Sequence, residues 1–170
     1  YCGNSGRSPV PHLHFQAQKA AVMGSSTIPF GLRNYVAVEE ENLKFRYHGL
    51  PNEGDRIRSL EVDPSIAAAF SEFPGSYRYE FDDGSTEEIV CGIDATGNYI
   101  LTSNSGSQLT ARIIDDVFHC LEYKGPGRSV LALFRLGLGR VPFSSIPNLG
   151  WSDQVSVRPY LAIVERLGLE

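Results

Sequence analysis

The chain lacks most of the features by which a sequence announces its function. It has no basic excess: fifteen Lys and Arg stand against twenty Asp and Glu, a formal net charge of −5. That excludes the cationic surface on which nucleic-acid binding depends. No apolar run approaches the ~18 residues that would suggest a membrane-spanning helix, so no membrane span is expected. Cysteine is scarce. Cys2, Cys91 and Cys120 make up the complement, and no Cys-x-x-Cys spacing supports a zinc knuckle. Cys91 and Cys120 fall on separate predicted strands, where they either pair or remain free thiols. No internal repeat stands out, and no Gly-rich stretch is followed by the Lys and helix of a phosphate loop.

What is present suits a globular β protein. Seventeen Gly and ten Pro punctuate short runs of alternating hydrophobicity. Arg33 to Val38 and Leu43 to His48 alternate with period 2, the pattern of half-buried strands. Tyr77-x-Tyr79-x-Phe81, Ile89-x-Cys91-x-Ile93, Tyr99-x-Leu101, Leu109 to Ile113 and Val117 to Tyr123 follow at 8–12-residue spacing. The turns between them include Asp82-Asp83-Gly84, Thr96-Gly97-Asn98, Ser105-Gly106 and Asp115-Asp116, and together they read as an antiparallel meander. Arg56 to Val62 is a further candidate strand. Asp63-Pro64 opens a short helix, with Asp as N-cap and Pro at the first helical position, and it stops before Pro74-Gly75. Ser129 to Leu136 is apolar on all sides, so periodicity leaves strand and helix open. Residues 142–153 read as loop and 154–167 as a last strand or helix. The fold class expected is mainly β, an antiparallel sheet or meander with one or two short helices.

The chemistry is concentrated at the start. Gly3-Asn4-Ser5-Gly6-Arg7-Ser8 is a small, polar loop, and Pro9 to Gln18 reads as a strand. On a strand His12 and His14 share a face, about 7 Å apart. Leu13 and Phe15 take the other face, toward a core. The string from Gly3 to Gln16 resembles the C-terminal motif of the M23 (LytM/lysostaphin-like) zinc metallopeptidases, β-sheet endopeptidases that cut peptide cross-links in bacterial cell walls. Gly3, Gly6, Ser8, Pro11, His12, Leu13, His14 and Phe15 match. Val10 replaces the usual Gly and Gln16 the usual Glu, at positions that do not carry the metal.

The resemblance implies roles. His14 corresponds to the zinc ligand of the His-x-His pair, and His12 to the catalytic histidine that orients or deprotonates the water on zinc or stabilises the oxyanion. Three protein ligands and an open position suit such chemistry. The other two ligands of the family come from an upstream His-x-x-x-Asp motif, and neither His48 nor His119 substitutes, because Asn52 and Tyr123 stand four residues on. The chain begins with Tyr, close to the motif, and is therefore expected to be a fragment. It should be inactive alone and hold no tightly bound zinc, while the full-length protein carries zinc. A rival pattern, Gly-x5-His-x-His as in cupins, is met by Gly6 to His14. It then wants a Glu where Ala17, Gln18 and Lys19 stand.

The resemblance implies residues 1–38 as the end of a peptidase domain and 42–170 as an accessory β-rich domain, divided at the acidic stretch Glu39-Glu40-Glu41. It also implies peptidoglycan or an envelope peptide as substrate and the bacterial cell envelope as location. The alternative is a non-catalytic binding or structural module that carries a relic of the motif. Tyr77, Tyr79, Phe81 and Tyr99 are its candidate aromatic binding face, set against the reading that such a stripe is core. Asp82-Asp83 and Asp115-Asp116 are set as turn residues against a carboxylate pair or calcium site.

Overall fold

The computed structural model describes residues 17–40 and 42–153; His12, His14, Cys2 and the 154–167 segment lie outside them. The expectation of a mainly β fold with antiparallel sheets and two short helices is met. Strand β1 (Ala17–Gln18) pairs antiparallel with β2 (Thr27–Ile28), Ala17 opposite Ile28. The small residues between them are the loop of this ribbon, turned at Gly24 with φ +80°.

β3 (Leu32–Glu39) and β4 (Asn42–Gly49) form a hairpin. Within the acidic stretch read as a boundary, Glu39 ends β3 and Glu40 follows at φ 55°. β5 (Arg56–Ser59) pairs with the outer side of β3, and the short β12 (Leu149–Gly150) runs parallel to β4. The candidate strand from Arg56 thus ends at Ser59 rather than Val62. The 142–153 loop contains β12, because parallel pairing with β4 satisfies backbone groups that local sequence does not mark.

The meander is a six-stranded sheet of β6 (Gly75–Glu80), β7 (Thr86–Ile93), β8 (Tyr99–Ser103), β9 (Gln108–Ile114), β10 (Val117–Lys124) and β11 (Arg140–Pro142), each beside its successor. Its turns follow local chemistry. Asp83 accepts from the Ser85 amide at 2.9 Å, and Asp94 from the amides of Thr96 at 2.8 Å and Asn98 at 2.9 Å. Those donors hold the Asp94 carboxyl well below the usual carboxylate range. Asp115 and Asp116, at φ 49° and 60°, adopt the left-handed pair that a two-residue hairpin turn requires and that Asp tolerates. They are turn residues.

Both helices pack on one face of this sheet. In α1 (Pro64–Ser71) the Asp63 carboxylate accepts from the Ser65 amide at 2.9 Å and hydroxyl at 2.6 Å, the cap expected from the sequence. These hydrogen bonds, with one from Ser145, lower its pKa to about 2. α2 (Val130–Gly137) settles the ambiguous apolar segment as a helix. Ser129 is its N-cap, accepting from the Ala132 amide at 3.1 Å, and Leu131 and Ala132 are fully buried.

Ile89, Cys91, Tyr99, Leu101, Leu109, Ala111, Phe118, Leu131 and Phe143 form the core. Phe70 of α1 stacks on Phe143 at 4.7 Å and lies 5.0 Å from Phe118. Each large side chain removed from water here contributes roughly 2–3 kcal/mol. Cys91 and Cys120 are free. They stand on β7 and β10, three strand spacings or about 14 Å apart along the sheet, well beyond disulfide reach.

Candidate functional site

His12 and His14, assigned from the sequence as catalytic residue and metal ligand, lie outside the described residues. Ala17, three residues after His14, is already in the β1 strand. Among the described residues no three His, Cys, Asp or Glu side chains converge as a metal site. Imidazole at position 14 suits zinc as a donor. His48 and His119 stand apart, the first exposed on β4, the second buried on β10.

The described residues do build a groove of 490 Å³ on the β3–β4–β5 sheet. Its floor follows from strand alternation. Tyr35 faces Arg46 across the ladder and Ala37 faces Lys44, so Tyr35, Ala37 and Glu39 share one face. His48 on β4, Leu50 just past its end, Asn52 and Asp55 of the following turn and Arg56 at the start of β5 complete the lining. Two glycines shape it. A Cβ on Gly49 would lie 3.0 Å from the Tyr35 hydroxyl, and one on Gly31 would lie 2.5 Å from His48 Nε2. Without side chains there, both rings lie close against the backbone. Glu39 is shared by Lys44 Nζ at 2.5 Å and Arg46 Nη2 at 2.6 Å. These two cations lower the Glu39 pKa, chiefly through the hydrogen bonds they donate.

A second polar centre joins the two sheets. His119 is buried, with its ring 5.0 Å from Tyr47 in an edge contact. Arg140 lies over the Tyr47 ring at 4.4 Å, and Arg33 donates to the Tyr47 hydroxyl at 2.9 Å while pairing with Asp115 at 3.5 Å. Across the same seam Asn34 Nδ2 donates to the Asp115 carbonyl at 3.0 Å. His119 Nε2 has no hydrogen-bond partner among the described residues. Burial, with help from Arg140 and Arg33, pushes the imidazole pKa down. This centre fastens the β3–β4 hairpin to the β10–β11 end of the meander.

A third centre surrounds Glu87, which is 4 % exposed. Its Oε1 accepts from the hydroxyls of Ser103 and, at 2.9 Å, Ser105; its Oε2 accepts from the Val130 amide at 2.8 Å. Ser105 passes to Ser107 at 3.0 Å, and the Tyr123 hydroxyl reaches Ser129 at 2.8 Å and donates to the Pro126 carbonyl. A carboxylate set against the first amide of α2 offsets the positive end of the helix. Every oxygen of Glu87 is engaged within the fold, so its role is structural.

Sequence reasoning missed Glu87 and Arg33. Glu87 stands at a core-facing position, two residues before Ile89, and that break in the hydrophobic alternation was the available signal. The aromatic stripe divides. Tyr99 is core, donating to the Phe70 carbonyl at 3.0 Å, whereas Tyr77 and Tyr79 on edge strand β6 are 42 % and 48 % exposed. Compared with known proteins, the chain matches no family model, no curated protein and no solved structure.

Proposed function

We propose that this chain is the C-terminal part of a zinc metalloendopeptidase resembling the M23 family, acting on peptidoglycan or envelope peptide cross-links in the bacterial cell envelope. The observation that carries the reading is the string Gly3 to Gln16, with Pro11-His12-Leu13-His14-Phe15 intact behind a Gly/Ser loop. The start of β1 at Ala17 supports it, because an extended chain immediately after the motif suits His12 and His14 sharing one strand face. His14 is the zinc ligand. Zinc, when bound, acts as a Lewis acid and brings the pKa of water to about 7. His12 handles the proton at its imidazole nitrogen or donates to the developing oxyanion. The remaining ligands belong to the full-length protein.

The test is zinc content and peptidoglycan hydrolysis by the full-length protein. One zinc per chain and release of soluble wall peptides are expected, with zinc lost in His14→Ala. In His12→Ala the metal is retained and hydrolysis falls by at least 100-fold. A full-length protein that hydrolyses wall without needing His14, or that holds no zinc after metal loading, overturns the proposal. The second reading, a non-catalytic binding module, is favoured by the preformed groove on β3–β4–β5. It predicts wall binding that survives both histidine substitutions.

A further inference from the structure

We infer that the outer edge of β6 is a self-association surface, on which a second copy of this chain adds its own β6 antiparallel and joins two six-stranded sheets into one.

β6 is last in its sheet, beyond β7. Its six residues are all exposed, and its pairing with β7 runs without a bulge from Gly75 to Glu80. The turn between the two strands fixes which backbone groups face out. The Phe81 amide donates to the Ser85 carbonyl at 2.9 Å. By the alternation of an antiparallel ladder, Tyr79, Tyr77 and Gly75 then bond inward to β7, and Ser76, Arg78 and Glu80 turn their N–H and C=O groups outward. Glu88, opposite Arg78, agrees with this: its carbonyl accepts from the Asn104 amide at 3.0 Å and its amide donates to Asn104 Oδ1 at 3.1 Å, away from β6. Among the described residues no strand pairs with the outward row.

Such a row is a template for another strand, and proteins guard it with short length, proline, bulges or charge. The other edges of the two larger sheets carry those guards. β11 has three residues and a proline, β12 has two residues, and β5 carries Arg56 and Arg58 with no carboxylate. β6 carries one charge of each sign, Arg78 and Glu80.

That pattern complements itself. Two copies related by a two-fold axis perpendicular to the sheet pair antiparallel, and the outward row restricts the bonded positions to Ser76, Arg78 and Glu80. An axis at Arg78 or at Glu80 sets like charges directly opposite. An axis at Ser76 or Tyr77 brings Pro74, which has no N–H, into the ladder. An axis at Tyr79 sets Arg78 opposite Glu80 of the partner subunit, twice over by symmetry. It also brings the two Tyr79 rings, each 48 % exposed, together as the close pair between them. Glu88 lies on the other side of Arg78, so the three charges sum to −1 per copy, and their positions rather than their net sign select the register. The chain's net charge of −5 opposes association at long range, but salt at 0.15 M screens it beyond about 8 Å.

The experiment is sedimentation equilibrium of the 170-residue chain at physiological salt, under reducing conditions so that thiols cannot link copies. Monomer and dimer should exchange with a Kd on the order of 100 µM, the scale of a small interface. Arg78→Glu and Glu80→Arg each make both charge contacts repulsive and should weaken the dimer about ten-fold. An equimolar mixture of these two variants sets every acid opposite an arginine and should associate about as tightly as the parent. Arg78→Pro removes an outward N–H without touching the β6–β7 ladder, and should abolish the dimer with the circular dichroism spectrum unchanged. If that variant does not fold, the charge variants and their mixture decide. In the parent, exchange of the Arg78 and Glu80 amides should slow as concentration rises, while the Tyr77 and Tyr79 amides stay protected throughout. A chain that stays monomeric to about 1 mM, a dimer indifferent to the charge reversals or to a folded Arg78→Pro, a mixture no tighter than its components, or Arg78 and Glu80 exchange independent of concentration would each overturn the proposal.

Discussion

Replacing Glu87 tests the buried polar centre most directly. The side chain is 4 % exposed and accepts three hydrogen bonds, from Ser103, Ser105 and the Val130 amide. Glu87→Ala removes all three acceptor contacts. The two serine hydroxyls can turn toward one another, since Ser103 and Ser105 are already 2.7 Å apart. The Val130 amide has no such freedom, because it is fixed by the helix it begins. A hydrogen bond to a charged acceptor contributes about 1.5–3 kcal/mol, and the helix-end charge adds about 0.3–1 kcal/mol. The cost of burying the carboxylate offsets part of that sum. We expect a net loss of about 3 kcal/mol for Glu87→Ala. Glu87→Gln keeps the volume and can present its carbonyl to Val130 and its amide to the serines, which rotate to accept. It should cost about 1 kcal/mol. Urea unfolding followed by circular dichroism reads both. With a slope of about 2 kcal/mol per molar, the alanine midpoint falls by about 1.5 M and the glutamine midpoint by about 0.5 M. Hydrogen exchange at the Val130 to Leu133 amides should accelerate in the alanine variant. An alanine variant within 0.5 M of the parent, or a glutamine variant as weak as alanine, would refute the assigned role.

Two further predictions concern the seams of the fold. His119 has a folded pKa pushed below its ordinary value of 6.5, first by burial and then by Arg140 and Arg33. The unfolded chain therefore binds the proton more readily, and stability falls as pH drops from about 6.5 toward the folded value. In His119→Phe this slope between pH 7.5 and 5.5 should flatten, measured as the urea midpoint at each pH; an unchanged slope removes His119 from the account. Gly125 sits at φ +135°, and a Cβ there would lie 2.7 Å from the Ser107 Cα. Since backbone and conformation both oppose a side chain, Gly125→Ala should lower stability by more than about 1 kcal/mol, visible as a depressed melting temperature.

Much of the architecture was legible because it is written locally. Alternating residues with Gly and Asp turns fixed the meander, and Asp63-Pro64 fixed the start of α1, each within a few residues of chain. Ser129 to Leu136 was not legible, since an apolar run fits a buried strand or a helix equally. Its state follows from Ser129 meeting the Ala132 amide and from Glu87, 43 residues away, meeting Val130. The groove was illegible for the same reason. Tyr35, Ala37 and Glu39 lie beside His48 only through the pairing of β3 with β4, which no short stretch of chain records.

The sequence by itself determined the β class, the positions of most turns and the histidine motif that suggests a zinc peptidase, because strand period, turn chemistry and a contiguous motif are all short-range properties. Tertiary structure alone decided three things. It divided the aromatic stripe into a buried Tyr99 and half-exposed Tyr77 and Tyr79. It fastened β3–β4 to β10–β11 through Tyr47, His119 and two arginines. It also set Glu87 against the Val130 amide at the start of α2, 43 residues away. Each depends on which groups lie within a few ångströms across strands distant in sequence, and that distance is set only when the sheets are packed.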